Sequence, residues 1–137
     1  ERFITLFIAK YNVTTKIFTY INAGHNPPLL FTANGTVFAL KTGCTVIGMF
    51  EDLEKIREGV ITIAPNSLLL CYTDGLVEQE NEQGQAFGMK RLKDILFEHG
   101  TRKKAKDLNH YIINTLRNFK GNTEYADDIA LLACKIF

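Results

Sequence analysis

Three acidic residues stand where rigid elements are expected to end or begin. Asp74 follows the apolar run Leu68-Leu69-Leu70-Cys71-Tyr72 across a single Thr73, and Gly75 comes directly after it. Asp127 and Asp128 precede a second apolar run that starts at Ile129 and ends at Phe137. Short apolar runs bounded by turn residues read as buried strands. If these two strands are antiparallel neighbours, Asp74 meets the acidic pair at one rim. Carboxylates gathered that closely repel, and each takes up a proton or is expelled unless a cation lies between them. A hard divalent ion, magnesium or manganese, resolves the conflict, because it prefers oxygen ligands and keeps several waters. Such an ion lowers the pKa of bound water and clamps phosphoryl oxygens. Alternate strand residues face opposite ways, so only one of Asp127 and Asp128 is expected to be a ligand. A plainer reading stays open: Asp-Gly is an ordinary turn dipeptide, and the acidic pair simply starts a strand after a loop.

A second candidate lies in Ala23-Gly24-His25-Asn26-Pro27-Pro28. Two prolines beside a glycine cannot continue a paired strand, so this is a shaped loop. His25 is either a hydrogen-bonding residue that shapes the loop or a catalytic group, and the pattern leaves both open.

The elements that position these groups follow in chain order. Residues 3–11 and 16–22 alternate loosely and are joined through Asn12-Val13-Thr14-Thr15, a hairpin connection. Residues 29–32 and 36–40 flank Asn34-Gly35, the strongest short hairpin signal. Residues 41–55 read as irregular, residues 59–63 as a further strand, and Ala64-Pro65-Asn66-Ser67 turns the chain into the run that ends at Asp74. Six short strands linked by turns predict an antiparallel meander. Residues 78–88 are polar and acidic and predict an exposed loop. Met89, Leu92, Ile95 and Leu96 fall at helical spacing over residues 89–99. Ala105, Leu108, Tyr111, Ile112, Leu116 and Phe119 repeat the pattern over 105–119, before Gly121-Asn122. Residues 129–137 predict a central strand buried on both faces. Strands, two amphipathic helices and a closing strand make an α+β chain, with a pair of sheets sandwiched between helices.

With 137 residues, 46% hydrophobic and 23% charged, the chain is one soluble-type domain or part of one. Sixteen basic against fifteen acidic residues leave a net charge of +1, which gives no electrostatic footprint for nucleic acid. Arg102-Lys103-Lys104-Ala105-Lys106 reads as the solvated opening of the second helix. Cys44, Cys71 and Cys134 are widely spaced without a Cys-x-x-Cys pair, against a disulfide framework or zinc site. Cys71 and Cys134 sit in apolar runs and read as small hydrophobes, in keeping with a reducing cytoplasm. The sequence has no transmembrane run and no signal-peptide pattern. It opens on Glu1-Arg2-Phe3 rather than methionine, so the natural start is expected upstream.

Four motifs in order carry a resemblance: Asn22-Ala23-Gly24-His25-Asn26-Pro27-Pro28-Leu29-Leu30, Tyr72-Thr73-Asp74-Gly75-Leu76-Val77-Glu78, Glu82-Gln83-Gly84-Gln85-Ala86-Phe87-Gly88 and Asp127-Asp128-Ile129. Over essentially its whole length the chain resembles the stage II sporulation protein E (SpoIIE)-type branch of the metal-dependent serine/threonine phosphatases, the PPM superfamily. The resemblance implies an αββα sandwich. It also implies two manganese or magnesium ions that activate water to attack a phosphoserine or phosphothreonine protein. In bacterial partner switching that substrate is an anti-anti-sigma factor.

Carried onto this sequence, it implies metal ligation by Asp74 and Asp127, with Asp128, Gly75, His25 and Asn26 behind the ligands or near the substrate. The chain departs from the family pattern in two places. The upstream Gly-Asp motif, whose aspartate bridges the two ions, has no counterpart here, and Ala130 stands where the closing Asp-Asp-x-Thr carries threonine. Residues 1–137 are therefore expected to be one N-terminally incomplete domain, weak in metal on its own and preceded by a sensory or regulatory domain. The same departures support an alternative, a non-catalytic phosphatase-like module that binds a regulatory protein.

Overall fold

A computed structural model describes residues 2–52 and 55–137. Glu1, and the Leu53 and Glu54 portion of the irregular stretch 41–55, lie outside the described residues. In chain order the elements are β1 (Leu6–Tyr11), β2 (Ile17–Ala23), β3 (Leu29–Phe31), β4 (Val37–Ala39), β5 (Gly43–Cys44), β6 (Gly59–Thr62), β7 (Ser67–Tyr72), α1 (Asp74–Glu78), α2 (Gly88–His99), α3 (Ala105–Lys120) and β8 (Leu131–Ile136).

Both predicted hairpins form, each through local chemistry. Asn12 Oδ1 accepts from the Thr14 and Thr15 amides at 3.0 Å, and the turn returns β2 to β1 with Tyr11 opposite Phe18. At the second, the Gly35 amide donates to Thr32 O at 2.9 Å with Gly35 at φ +85, a backbone angle that favours glycine.

The strands do not form a meander. They divide into two four-stranded sheets, one with β1, β2, β5 and β6, the other ordered β4-β3-β7-β8. The chain crosses between them repeatedly, because the Pro27-Pro28 loop cannot pair and carries β3 away from β2. β5 was missed within the irregular stretch: it is two residues long and pairs parallel to β2, Asn22 opposite Gly43. Every other pairing between these strands is antiparallel.

The sheets pack face to face. Phe18 and Tyr20 of β2, Leu30 of β3, Leu69 of β7, Leu40, Ile63 and Ile136 form the core between them. The opposite face of the second sheet, with Leu29, Phe31, Leu68, Leu70 and Tyr72, packs on Leu92, Ile95 and Leu96 of α2 and Leu108, Ile112 and Leu116 of α3. β7 lies between β3 and β8 and is buried on both faces, which explains why its sequence is apolar without alternation. The helices use the stripes read from their spacing, except that Tyr111 lies at the edge of its stripe, 37% exposed.

Two burial expectations are corrected. β8 is an edge strand, not a central one: Leu131 and Ala133 pack towards the helices, while on the face it shares with Ile136 Leu132 is 58% exposed and Cys134 is exposed. Residues 78–88 are not wholly an exposed loop. Phe87 is fully buried and Gln79 is 1% exposed, because α1 and a short Glu80–Ala86 bridge fold the segment back onto the helices. Phe87 meets Phe119 edge to face at 5.4 Å between centroids. On the far side of the first sheet, Ile8 (57% exposed) and Val60 (63% exposed) face outward, and no described helix covers them.

Candidate functional site

The C-terminal end of β7 and the N-terminal end of β8 coincide, with Tyr72 opposite Leu131. Thr73 carries the pairing one step further. Its amide donates to Ala130 O at 3.1 Å, its hydroxyl donates to Asp128 O at 2.9 Å, and the same oxygen accepts from the Ala130 amide at 2.9 Å. One threonine side chain thus replaces the next rung of the ladder. Although the threonine expected at residue 130 is an alanine, the hydroxyl that ties this corner belongs to Thr73.

Asp74 then opens α1, in place of the plain turn that Asp-Gly suggests. Thr73 is still extended (φ −88, ψ 158), so the helix starts abruptly, and Leu76 is buried beneath it. Asp74 Oδ1 accepts from the Gly75 amide at 3.1 Å. Gly75 is buried against the strand opposite: a Cβ there would lie 2.8 Å from Asp128 O and 3.3 Å from Asp127 Cβ. Only a residue without a side chain lets α1 come this close. The Asp127 side chain therefore leaves its backbone beside the residue that follows Asp74. Asp127 Oδ1 accepts from the Asp128 amide at 2.7 Å.

Asp74, Asp127 and Asp128 are all exposed. β8 begins only at Leu131, so strand alternation does not separate Asp127 from Asp128; the two lie on the approach to the strand. They line an open cleft of about 290 Å³ with Ile113, Tyr125 and Ile129. A different cleft of about 450 Å³, beside β5, is lined by Lys41, Lys55 and Arg57 with Thr42 and Thr45, and no carboxylate is among its lining residues.

The His25 loop reaches the same corner through Asn26, whose Nδ2 donates to Tyr72 O at 3.4 Å. His25 is held by its backbone: its amide donates to Asn22 Oδ1 at 2.8 Å, while buried Asn22 donates from Nδ2 to Leu40 O at 3.0 Å. The His25 ring lies 3.4 Å from Thr5 Oγ1. The structure thus brings Asp74, Gly75, Asp127, Asp128 and the Asn26 side chain to one corner, and turns the His25 ring towards Thr5.

The apolar side of the corner is dry. Burial pushes the Tyr72 hydroxyl up to about 12, and burial, then the neighbouring Cys134, pushes the Cys71 thiol up to about 11. The Tyr72 hydroxyl points to Met89 Sδ at 3.9 Å. Neither group supplies a charge to the rim near neutral pH.

Among the described residues no group of three or more His, Cys, Asp or Glu side chains is gathered closely enough to enclose a metal. Two exposed carboxylates are a partial oxygen set. That suits a hard ion which completes its shell with water and other oxygens, and it does not suit zinc. Sequence reasoning missed Thr73 and Gln79 at this corner. Thr73 sits inside Tyr72-Thr73-Asp74-Gly75 but bears no distinguishing pattern of its own, and Gln79 lies between two glutamates in a run that reads as solvated.

A family model described as Stage II sporulation protein E (SpoIIE) matches residues 1–137. The phosphoserine phosphatase RsbP of Bacillus subtilis is 29% identical over 128 residues, 93% of this chain and 30% of RsbP. Among solved structures, the RsbU and RsbW domains of a Mycobacterium tuberculosis protein superpose with a TM-score of 0.76 at 26% identity, over 96% of this chain and 36% of that one. The phosphatase domain of SpoIIE from Bacillus subtilis, presoaked with manganese, superposes with a TM-score of 0.66 at 12% identity, over 96% of this chain and 56% of that one. The chain spans less than a third of the length of the curated relatives it matches. No described helix is long and apolar enough to cross a membrane.

Proposed function

The chain belongs to the SpoIIE family, and from that premise we propose that the protein containing it is a metal-dependent serine/threonine protein phosphatase, with Asp74 and Asp127 as metal ligands. The observation that carries the reading is the approach of Asp127 to Gly75, with Asp127 Cβ 3.3 Å from the position of a Cβ there, beside the residue that follows Asp74. Asp74 and Asp127 would hold one manganese or magnesium ion of a two-ion site, with water and residues other than these two completing the shells. When bound, the ion supplies a water of lowered pKa and a clamp for phosphoryl oxygens.

The chain's own residues supply position. α1, starting directly after β7, carries Asp74, the segment leading into β8 carries Asp127, Gly75 permits their approach, and Asn26 ties the neighbouring loop to the end of β7. Asp128 acts through its backbone, whose carbonyl anchors Thr73. His25 and Asn26 shape the loop near the substrate. The substrate is a phosphoserine or phosphothreonine protein, in keeping with the phosphoserine phosphatase RsbP among the relatives. A regulator of the anti-anti-sigma type in the cytoplasm is the reading we favour.

The test is manganese-dependent phosphate release from a phosphoserine protein by the full-length protein. Asp74→Asn is expected to abolish release while leaving the thermal transition intact, and unchanged turnover in that variant would falsify the assignment. The alternative of a non-catalytic module that binds a regulatory protein predicts no manganese-dependent heat of binding in the full-length protein.

A further inference from the structure

Gln79 follows the last residue of α1 and is 1% exposed, although Glu78 and Glu80 on either side of it are exposed. A buried carboxamide is unfavourable unless its donors and acceptor are all met. Here they are. Nε2 donates to Glu80 O at 3.0 Å and Glu124 O at 3.0 Å, with Thr123 Oγ1 at 3.3 Å as a third acceptor. Oε1 accepts from the Ala126 amide at 3.2 Å. Three of these four contacts go to residues 123–126, the segment that delivers Asp127.

On the other side of Asp127, Thr73 holds the Asp128 carbonyl and the Ala130 amide, both at 2.9 Å. Thr73 immediately precedes α1 and Gln79 immediately follows it. The two side chains therefore grip the 126–130 segment from the two ends of the helix whose first residue is Asp74. Asp127 lies between the two grips. Its backbone position relative to Asp74 is set by α1 and its flanks, with no direct bond between the two carboxylates.

We infer that Gln79 is a positioning residue for Asp127: its carboxamide fixes the segment that brings the Asp127 carboxylate opposite Asp74, and so tunes the affinity of the corner for its metal. The inference rests on the reading of Asp74 and Asp127 as a metal-binding pair. The Ala126 bond distinguishes this role from general loop packing. A loop needs only its carbonyls capped, which Thr123 and Lys120 also do: the Thr123 hydroxyl lies 2.9 Å from Glu80 O, and Lys120 Nζ donates to Gly121 O at 3.3 Å. Gln79 Oε1 instead accepts from the amide of Ala126, the residue that leads directly into Asp127.

The experiment compares Gln79→Met, which keeps length and volume but not the amide, with Thr123→Val, which loosens the same loop without touching Ala126. Both are made in the full-length protein. Two quantities are read: amide hydrogen exchange of residues 125–130 without metal, and the manganese concentration that half-saturates binding by calorimetry. Gln79→Met is expected to speed exchange at Ala126 and Asp128 at least tenfold and to raise the half-saturating manganese roughly 10–100-fold, the usual effect of losing a group that orients a ligand. Excess manganese is expected to restore turnover. Thr123→Val is expected to lower thermal stability with manganese affinity unchanged. Unaltered exchange in Gln79→Met, or an equal loss of manganese affinity in both variants, overturns the inference. If Gln79→Met frees the Ala126 and Asp128 amides but the unaltered protein binds no manganese, the grip on Asp127 stands and the metal reading fails. Should Gln79→Met not fold, Gln79→Asn, whose amide falls one methylene short, is read the same way.

Discussion

Gly75 and Asp127 approach so closely that a methyl group on Gly75 would lie 3.3 Å from Asp127 Cβ and 2.8 Å from the neighbouring Asp128 carbonyl oxygen. The second distance is shorter than any real Cβ contact tolerates, and the atom in the way is backbone, so either α1 or the 127–128 segment must move. Gly75→Ala is expected to destabilise the fold by about 1–3 kcal/mol, the range for overpacking a filled site. Because the displacement falls between the two carboxylates, the variant is also expected to bind manganese more weakly than an equally destabilised core variant such as Leu116→Ala. Calorimetric titration of both proteins tests this, and equal affinities would count against the corner.

Thr73 supplies a hydroxyl where the ladder between β7 and β8 ends. Thr73→Ser retains both bonds to Asp128 and Ala130 and is expected to behave nearly as the unaltered protein. Thr73→Val keeps the shape and loses the bonds, at a cost of about 1–2 kcal/mol, since a net hydrogen bond contributes about 1 kcal/mol. Chemical denaturation of the pair separates hydroxyl from methyl. Equal midpoints for Ser and Val would mean that the hydroxyl does not hold the corner.

Much of this fold is legible in the sequence because periodicity records which face is buried. The stripe Leu108, Ile112, Leu116 needs only one partner surface, and α3 offers that stripe to β8 and α2. The Asn34-Gly35 turn is legible because its backbone angles demand those residues. What was not legible depends on distant parts of the chain. Leu132 and Cys134 have the same apolar character as residues of β7, yet they are exposed because β8 lies at the edge of its sheet, a position that no local pattern records. The two residues of β5 are too few for a period. At the site, the convergence of Asp74 and Asp127 was legible as a conditional, since both flank apolar runs. The condition itself, antiparallel pairing of β7 with β8, is a tertiary fact. Gln79 was invisible because its burial is set by residues 123–126, more than forty positions away.

Phe87 separates the folded segment from the loop its composition suggests. Its ring is fully buried against Phe119, and Arg91 stacks over Phe119 at 4.6 Å from the centroid. Phe87→Ala is expected to cost about 3–5 kcal/mol, the range for emptying a buried aromatic site. Gln83→Ala, in the same segment but exposed, is expected to stay within about 0.5 kcal/mol. Denaturation midpoints decide: a Phe87→Ala loss no larger than that of Gln83→Ala would return the segment to a solvated loop.

Cys71 and Cys134 face the same side of the second sheet but differ in exposure, the first half-buried and the second exposed. Burial raises the Cys71 thiol from 9.0 to about 11, so the folded state holds a proton that the unfolded state releases earlier. The resulting stability is complete below pH 9 and is lost as pH rises from 9.0 through about 11. Tyr72, raised from 10.0 to about 12 by burial, acts in the same direction one unit higher, while Lys135, lowered by burial, acts in the opposite sense. Both remain in Cys71→Val and cancel in the difference. The melting temperature of the unaltered protein is therefore expected to fall relative to Cys71→Val between pH 9 and 11 and to run parallel to it below pH 9. A thiolate is the species that alkylates, so iodoacetamide at pH 8 is expected to label Cys134 well before Cys71 in the native protein. Equal labelling rates, or parallel melting curves across the whole range, would show that the β7 side of this sheet is as open to water as the β8 edge.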